Sequence, residues 1–118
     1  MSARPKEQTD DLKRYCRSLG YFEEGALVYY LLEGLRLPEG CQPAECDALL
    51  CPVERDGYPS RLFFSEKVTC VYTRNWNVSD ARIGERNWHA FSWKITLPGT
   101  ATLVELLLAH LGGFAKEK

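Results

Sequence analysis

The chain lacks an excess of charge of either sign: fifteen Lys and Arg stand against sixteen Asp and Glu, a formal charge of −1. Without a basic field nothing holds a nucleic-acid backbone or an anionic membrane surface through counterion release, so neither is an expected partner. Long hydrophobic runs are missing too. No apolar stretch reaches the roughly 18 residues of a membrane span, and the charged opening Met1-Ser2-Ala3-Arg4-Pro5-Lys6-Glu7 is not followed by a signal-peptide core. The expected location is the cytoplasm. Histidine is scarce, present only as His89 and His110, and the five cysteines (Cys16, Cys41, Cys46, Cys51 and Cys70) show none of the two-residue spacings of zinc knuckles. No metal or cofactor is expected, and in a reducing compartment most of the cysteines read as small buried hydrophobes rather than disulfides. Internal repeats and low-complexity linkers are absent.

What is there fits one domain. At 118 residues, 45% hydrophobic and 12% aromatic, the chain can bury roughly two thirds of its unfolded surface. The domain is expected over 9–113, with a frayed tail at 1–8 and a polar tail at 114–118. A first helix is predicted from Thr9, with Asp10 and Asp11 at its positive end, Leu12, Tyr15, Cys16 and Leu19 on one face, and Gly20 as its stop. Ala26–Leu32 reads as a strand broken by Gly34, and Leu37-Pro38-Glu39-Gly40 as a turn. Cys46–Cys51 is a second strand closed by Pro52, 54–59 a polar loop, and Arg61–Phe64 a third strand. The short links favour antiparallel pairing.

From Ser65 to Arg86 the sequence turns polar with isolated apolar residues, the composition of functional loops or of plain coil. His89, Phe91, Trp93 and Ile95 then alternate with Ala90, Ser92 and Lys94, an extended segment with one apolar face. Pro98-Gly99 breaks it. Thr102 and Glu105 form a capping box for a last helix with Leu103, Leu106, Leu107, His110 and Leu111 on one stripe, ended by Gly112-Gly113. The expected class is α+β: an N-terminal helix, an antiparallel meander of three to four strands, a long loop and a C-terminal helix packed on the sheet.

That order, with Leu35-Arg36-Leu37-Pro38-Glu39-Gly40, Cys46-Asp47-Ala48-Leu49-Leu50, Gly57-Tyr58-Pro59, Trp88-His89-Ala90-Phe91-Ser92-Trp93-Lys94 and the leucine-rich closing helix, resembles the bacterial branch of the ubiquitin-conjugating-enzyme (UBC-fold) superfamily over about residues 27–112. The resemblance implies a ubiquitin-like modifier and an adenylating activating enzyme as partners, often beside a JAB-type peptidase. It also implies a transferase chemistry in which a cysteine takes the modifier as a thioester, with an asparagine steadying the oxyanion. Tyr58 and Pro59 match the superfamily's turn into the third strand, with Trp93 as a further structural position. The prolines usual after that turn are replaced by Ser60, Arg61 and Leu62, and the His-Pro-Asn tripeptide is missing. The cysteine expected between about Ile83 and Ala90 is missing as well.

The candidates for chemistry are therefore Cys70, with Asn75 or Asn77 as oxyanion donor; Ser92; and His89, as a lone base or as a residue that orients a partner's tail. Each has a plainer alternative: an inert buried thiol, a locally bonded hydroxyl, and a structural histidine bonded to loop backbone. Positions 89 and 92 point to opposite faces of a strand and meet only across a bulge. Trp76, Trp88, Arg86 and Lys94, with Arg82 nearby, are the candidate partner-binding residues. The rival reading is a non-enzymatic small α+β binding or subunit protein that uses an aromatic patch as its interaction surface.

Overall fold

The computed structural model describes residues 6–54, 58, 60–70, 76, 78–91, 95, 97 and 100–115. Helix α1 (Lys6–Leu12) runs into a single 3₁₀ turn at Lys13–Tyr15; then come β1 (Ser18–Glu24), β2 (Leu27–Arg36), β3 (Glu45–Cys51), β4 (Arg61–Phe64), β5 (Val78–Ile83), β6 (Arg86–Ala90) and α2 (Leu103–Ala115). The strands form one antiparallel sheet in the order β1-β2-β3-β4-β6-β5. The class is α+β, with one helix at each end of the chain.

Both faces of the sheet are covered, which explains why β2 to β4 read as near-continuous apolar runs rather than alternating ones. On one face α1 and α2 pack over Tyr30, Leu32, Leu35, Cys46, Ala48, Leu50, Leu62 and Phe64, with Leu12, Leu103, Leu107 and Phe114 supplied by the helices. Gln8 ties the two helices together by accepting the N–H of Leu103 at 3.1 Å. On the other face Tyr29, Leu49, Cys51, Phe63, Ile83, Trp88 and Ala90 form a second cluster that contains no helical residue. The sheet closes that cluster itself: β1 and the β5–β6 turn, at opposite ends of the strand order, touch. Gly84 donates its N–H to Glu24 Oε1 at 2.8 Å, and a Cβ at Gly84 would lie 3.0 Å from Phe22 Cζ.

Two β-bulges shape the sheet. In β2 the pairing slips between Leu32 and Leu35, so that Glu33 and Gly34 oppose Asp47 alone; Gly34 takes φ +69° and donates its N–H to Asp47 Oδ1 at 2.9 Å. The extra residue restores parity, and Leu35 points into the helix-side core like Leu32. In β5 the slip falls between Val78 and Ala81, opposite His89, with Asp80 at φ +58°.

Several expectations are corrected. The first helix begins at Lys6 and stops near Leu12, so residues 6–8 belong to it. Ser18–Glu24, read in part as the end of that helix, is strand β1. The spacing of Leu12, Cys16 and Leu19 imitated a helical face, but an unbroken ladder from Ser18↔Glu33 to Glu24↔Leu27 satisfies the backbone of 18–24 as a strand. The sheet has six strands instead of three or four, because β5 was hidden in the polar 65–86 segment. As an edge strand it buries only Ile83 completely. Gly112-Gly113 does not end α2. The helix reaches Ala115 and buries Phe114 at 2% exposure, its ring 4.9 Å from that of Phe91 and 5.3 Å from that of Phe64. The anticipated tail at 114–118 therefore begins inside the core. The capping box stands: Glu105 donates its N–H to Thr102 Oγ1 at 3.2 Å, and Thr102 donates its own to Glu105 Oε1 at 2.8 Å.

Candidate functional site

The stretch expected to carry the catalytic cysteine, 83–90, is the turn and second strand of the β5–β6 hairpin. Gly84 and Glu85 both take positive φ, at 57° and 69°, the two-residue hairpin geometry that matches strand twist. Trp88 faces the second core at 1% exposure and donates Nε1–H to Ile83 O at 3.1 Å. His89, on the other side of the strand, is half-buried. Its Nδ1 accepts the N–H of Asp80, the left-handed residue of the bulge, at 3.2 Å. A ladder donor released by the extra residue thus finds an acceptor in the side chain opposite.

This geometry sorts the partner-binding candidates. Trp88, expected at an interface, offers no surface, because its indole is the largest side chain of the second core. Arg86 lies over the Trp88 ring at 4.6 Å from the centroid and pairs with Asp47 Oδ2 at 3.1 Å. One carboxylate therefore accepts from the β2 bulge through one oxygen and holds the hairpin through the other. Trp76 is half-buried, edge-on to Phe64 at 5.8 Å and to Phe91 at 5.2 Å between centroids. The described aromatics expected to form an exposed patch are thus core or core margin. Arg82 and Asn87, directly paired across the hairpin, are exposed. Ser92, Trp93, Lys94, Pro59, Asn75 and Asn77 lie outside the described residues.

Cys70 is half-buried, and its side chain hydrogen-bonds to the thiol of Cys41. Burial pushes the Cys41 and Cys46 thiols up to about 11 and raises Cys16 as well. These three are held as thiols at neutral pH, the opposite of the accessible thiolate that acyl transfer needs.

A second cluster sits where β4 meets α2. Ser60 Oγ donates to Cys51 O at 2.8 Å and lies 3.0 Å from His110 Nε2. The single hydroxyl hydrogen goes to the carbonyl, so the network assigns the Nε2 proton to His110, which donates to Ser60. That polarity is the reverse of a base activating a nucleophile. His110 is 4% exposed, and burial, helped by the neighbouring Arg61 charge, lowers it to about 4, so it is neutral. Arg61 is buried, donates to Phe91 O at 3.1 Å and lies 3.9 Å over the Tyr58 ring, which gives Tyr58 a packing role. The cavity lined by Arg61, Leu62, Phe91 and His110 is about 10 Å³, too small for a substrate. His110 was legible as an inner-stripe residue of the last helix. Its bond to Ser60 was not, because nothing local links positions 50 apart.

Among the described residues no group of three His, Cys, Asp or Glu side chains converges as a metal site, and no helix is long and apolar enough to cross a membrane. Comparison with family models, with curated proteins and with solved structures finds no match to the chain.

Proposed function

We propose that the chain is a UBC-like component of a cytoplasmic ubiquitin-like conjugation pathway, one that binds the modifier or its adenylating activating enzyme and does not itself hold the modifier as a thioester. The observation that carries the second half is the hairpin. The residues expected to present a reactive thiol contain none, and their side chains are committed to holding the fold: Trp88 to the second core, His89 to the bulge and Arg86 to Asp47. The scaffold half is supported by the order of elements: a helix, the consecutive antiparallel strands β1 to β4, and a closing helix beside the first. Arg82 and Asn87, exposed and paired on the hairpin, supply a guanidinium and an amide for the extended, carboxylate-ended tail of a modifier.

The test incubates the full chain with a ubiquitin-like modifier and an adenylating activating enzyme from the same genome, and ATP. The products are followed by size-exclusion chromatography and by gels run with and without reductant and hydroxylamine. The reading expects co-elution with at least one partner and no adduct sensitive to either reagent. A reductant-sensitive adduct that disappears in Cys70→Ser would make the protein a transferase. Binding to neither partner would sink the conjugation reading.

A further inference from the structure

Gln42 and Thr69 face each other as an isolated antiparallel bridge. Gln42 donates its N–H to Thr69 O at 2.8 Å, and Thr69 donates its own to Gln42 O at 2.9 Å. In such a doubly bonded pair the next opposed positions, here 41 and 70, fall at the non-hydrogen-bonded site, where α-carbons approach to about 4.5 Å. A disulfide spans about 4.4–6.8 Å between α-carbons. Cys41 is also fixed from its other side, since its N–H donates to Pro38 O at 3.2 Å to close the turn in which Gly40 takes φ +94°. Both side chains pack into the helix-side core, Cys41 within it and Cys70 at its margin, and they hydrogen-bond to each other. The other thiols turn elsewhere: Cys16 to Leu12 O at 3.8 Å, Cys51 to Val53 O at 3.5 Å, and Cys46 to Ser65.

We propose that Cys41 and Cys70 are a dithiol that closes reversibly into an internal disulfide, fastening the β2–β3 turn to the segment that follows β4. The oxidant class is a low-molecular-weight disulfide such as oxidised glutathione. Cys70, the more exposed of the two, attacks one sulfur as its thiolate; the S–S bond of the small molecule breaks, and one small thiol leaves with the electron pair and takes up a proton. Cys41 then attacks the Cys70 sulfur of the mixed disulfide and releases the second small thiol. Two protein thiols and one small disulfide become one protein disulfide and two small thiols, the protein losing two electrons and the small disulfide gaining them. Burial keeps most of Cys41 as the thiol and so slows this second step, and the proximity of an intramolecular attack offsets that. The closed loop contains β3 and β4. The proposal does not depend on the conjugation reading.

The experiment treats the full folded chain with oxidised glutathione, counts thiols after unfolding in acid, and maps linkages by digestion with trypsin and a glutamate-specific protease. These enzymes separate Cys41, in 40–45, from Cys46 and Cys51, in 46–54, and place Cys70 in 68–74. The expected result is a loss of two thiols, one linkage between 40–45 and 68–74, and a rise in Tm on the order of 5–10 °C that reductant reverses. Cys41→Ser should stop at one glutathione held on Cys70, and Cys70→Ser should lose the fast reaction. No loss of thiols from the natural chain, linkages spread over Cys16, Cys46 and Cys51, or disulfide-linked dimers would each overturn the proposal, and the mapping itself needs no variant to fold.

Discussion

His89 Nδ1 accepts the N–H of Asp80 at 3.2 Å across the β5–β6 hairpin. Asp47 Oδ1 does the same for Gly34 at 2.9 Å across β2 and β3. In both places a bulge puts one residue at positive φ, releases its N–H from the ladder, and the single residue opposite supplies a side-chain acceptor. A histidine set among aromatics invites a catalytic reading, yet here its ring has the job that a carboxylate has one bulge away.

His89→Ala should cost about 1 kcal/mol, the net worth of one half-exposed hydrogen bond, and His89→Asn, which keeps an acceptor, should recover part of it. Asp47→Ala should cost more, since it strips both the Gly34 acceptor and the partner of Arg86. Urea denaturation at neutral pH reads these differences. A His89→Ala variant as stable as the natural chain would remove the bulge role.

The buried pair of Ser60 and His110 gives the fold an acid sensitivity. His110 sits at about 4 when folded and near 6.5 when unfolded, so between these values the unfolded chain binds the extra proton. Stability from this group is complete above about pH 6.5 and is lost as pH falls towards 4, by on the order of 3 kcal/mol in all. His110→Gln, measured by denaturation between about pH 7 and pH 4.5, should lose distinctly less stability on acidification than the natural chain. Equal losses would contradict the neutral buried state.

The second core rests on Trp88. Trp88→Ala should cost roughly 3–5 kcal/mol, a large part of what a domain of this size has, while Trp88→Phe keeps most of the packing and forfeits the bond to Ile83 O. Gly84→Ala should cost about 1–2 kcal/mol, from positive φ and from the approach to Phe22. It should also raise amide exchange at both the hairpin turn and Glu24, because the two ends of the sheet meet there. Exchange changing at one end only would mean that the closure is not cooperative.

Thr102→Ala should cost about 1 kcal/mol of stability through loss of the capping box. Thr102→Ser should be near neutral by the same denaturation assay.

These residues also show what was legible in the sequence. The capping box was, because its signal is four consecutive positions. Strands β2, β3 and β4 were, because burial on both faces leaves continuous apolar runs. Strand β1 was not: Leu12, Cys16 and Leu19 have helical spacing, and the pairing that overrules it comes from Leu27–Glu33. Nor was β5, whose edge position leaves it polar. The bulge at Gly34 looked like a strand break, and it became intelligible only with Asp47 opposite. Of the candidate site residues, the outer placement of Arg82 was legible and the burial of Trp88 was not, because alternation counted from His89 assigned the core to one face when both faces have one.

The most direct test of the account is a titration of the folded chain, labelled with ¹⁵N, with the ubiquitin-like modifier alone. The account predicts saturable binding, with the largest amide shifts on the hairpin around Arg82 and Asn87, and a marked weakening in Arg82→Ala without loss of fold. Amides that stay unmoved at saturating modifier, and again with the activating enzyme in its place, would contradict it.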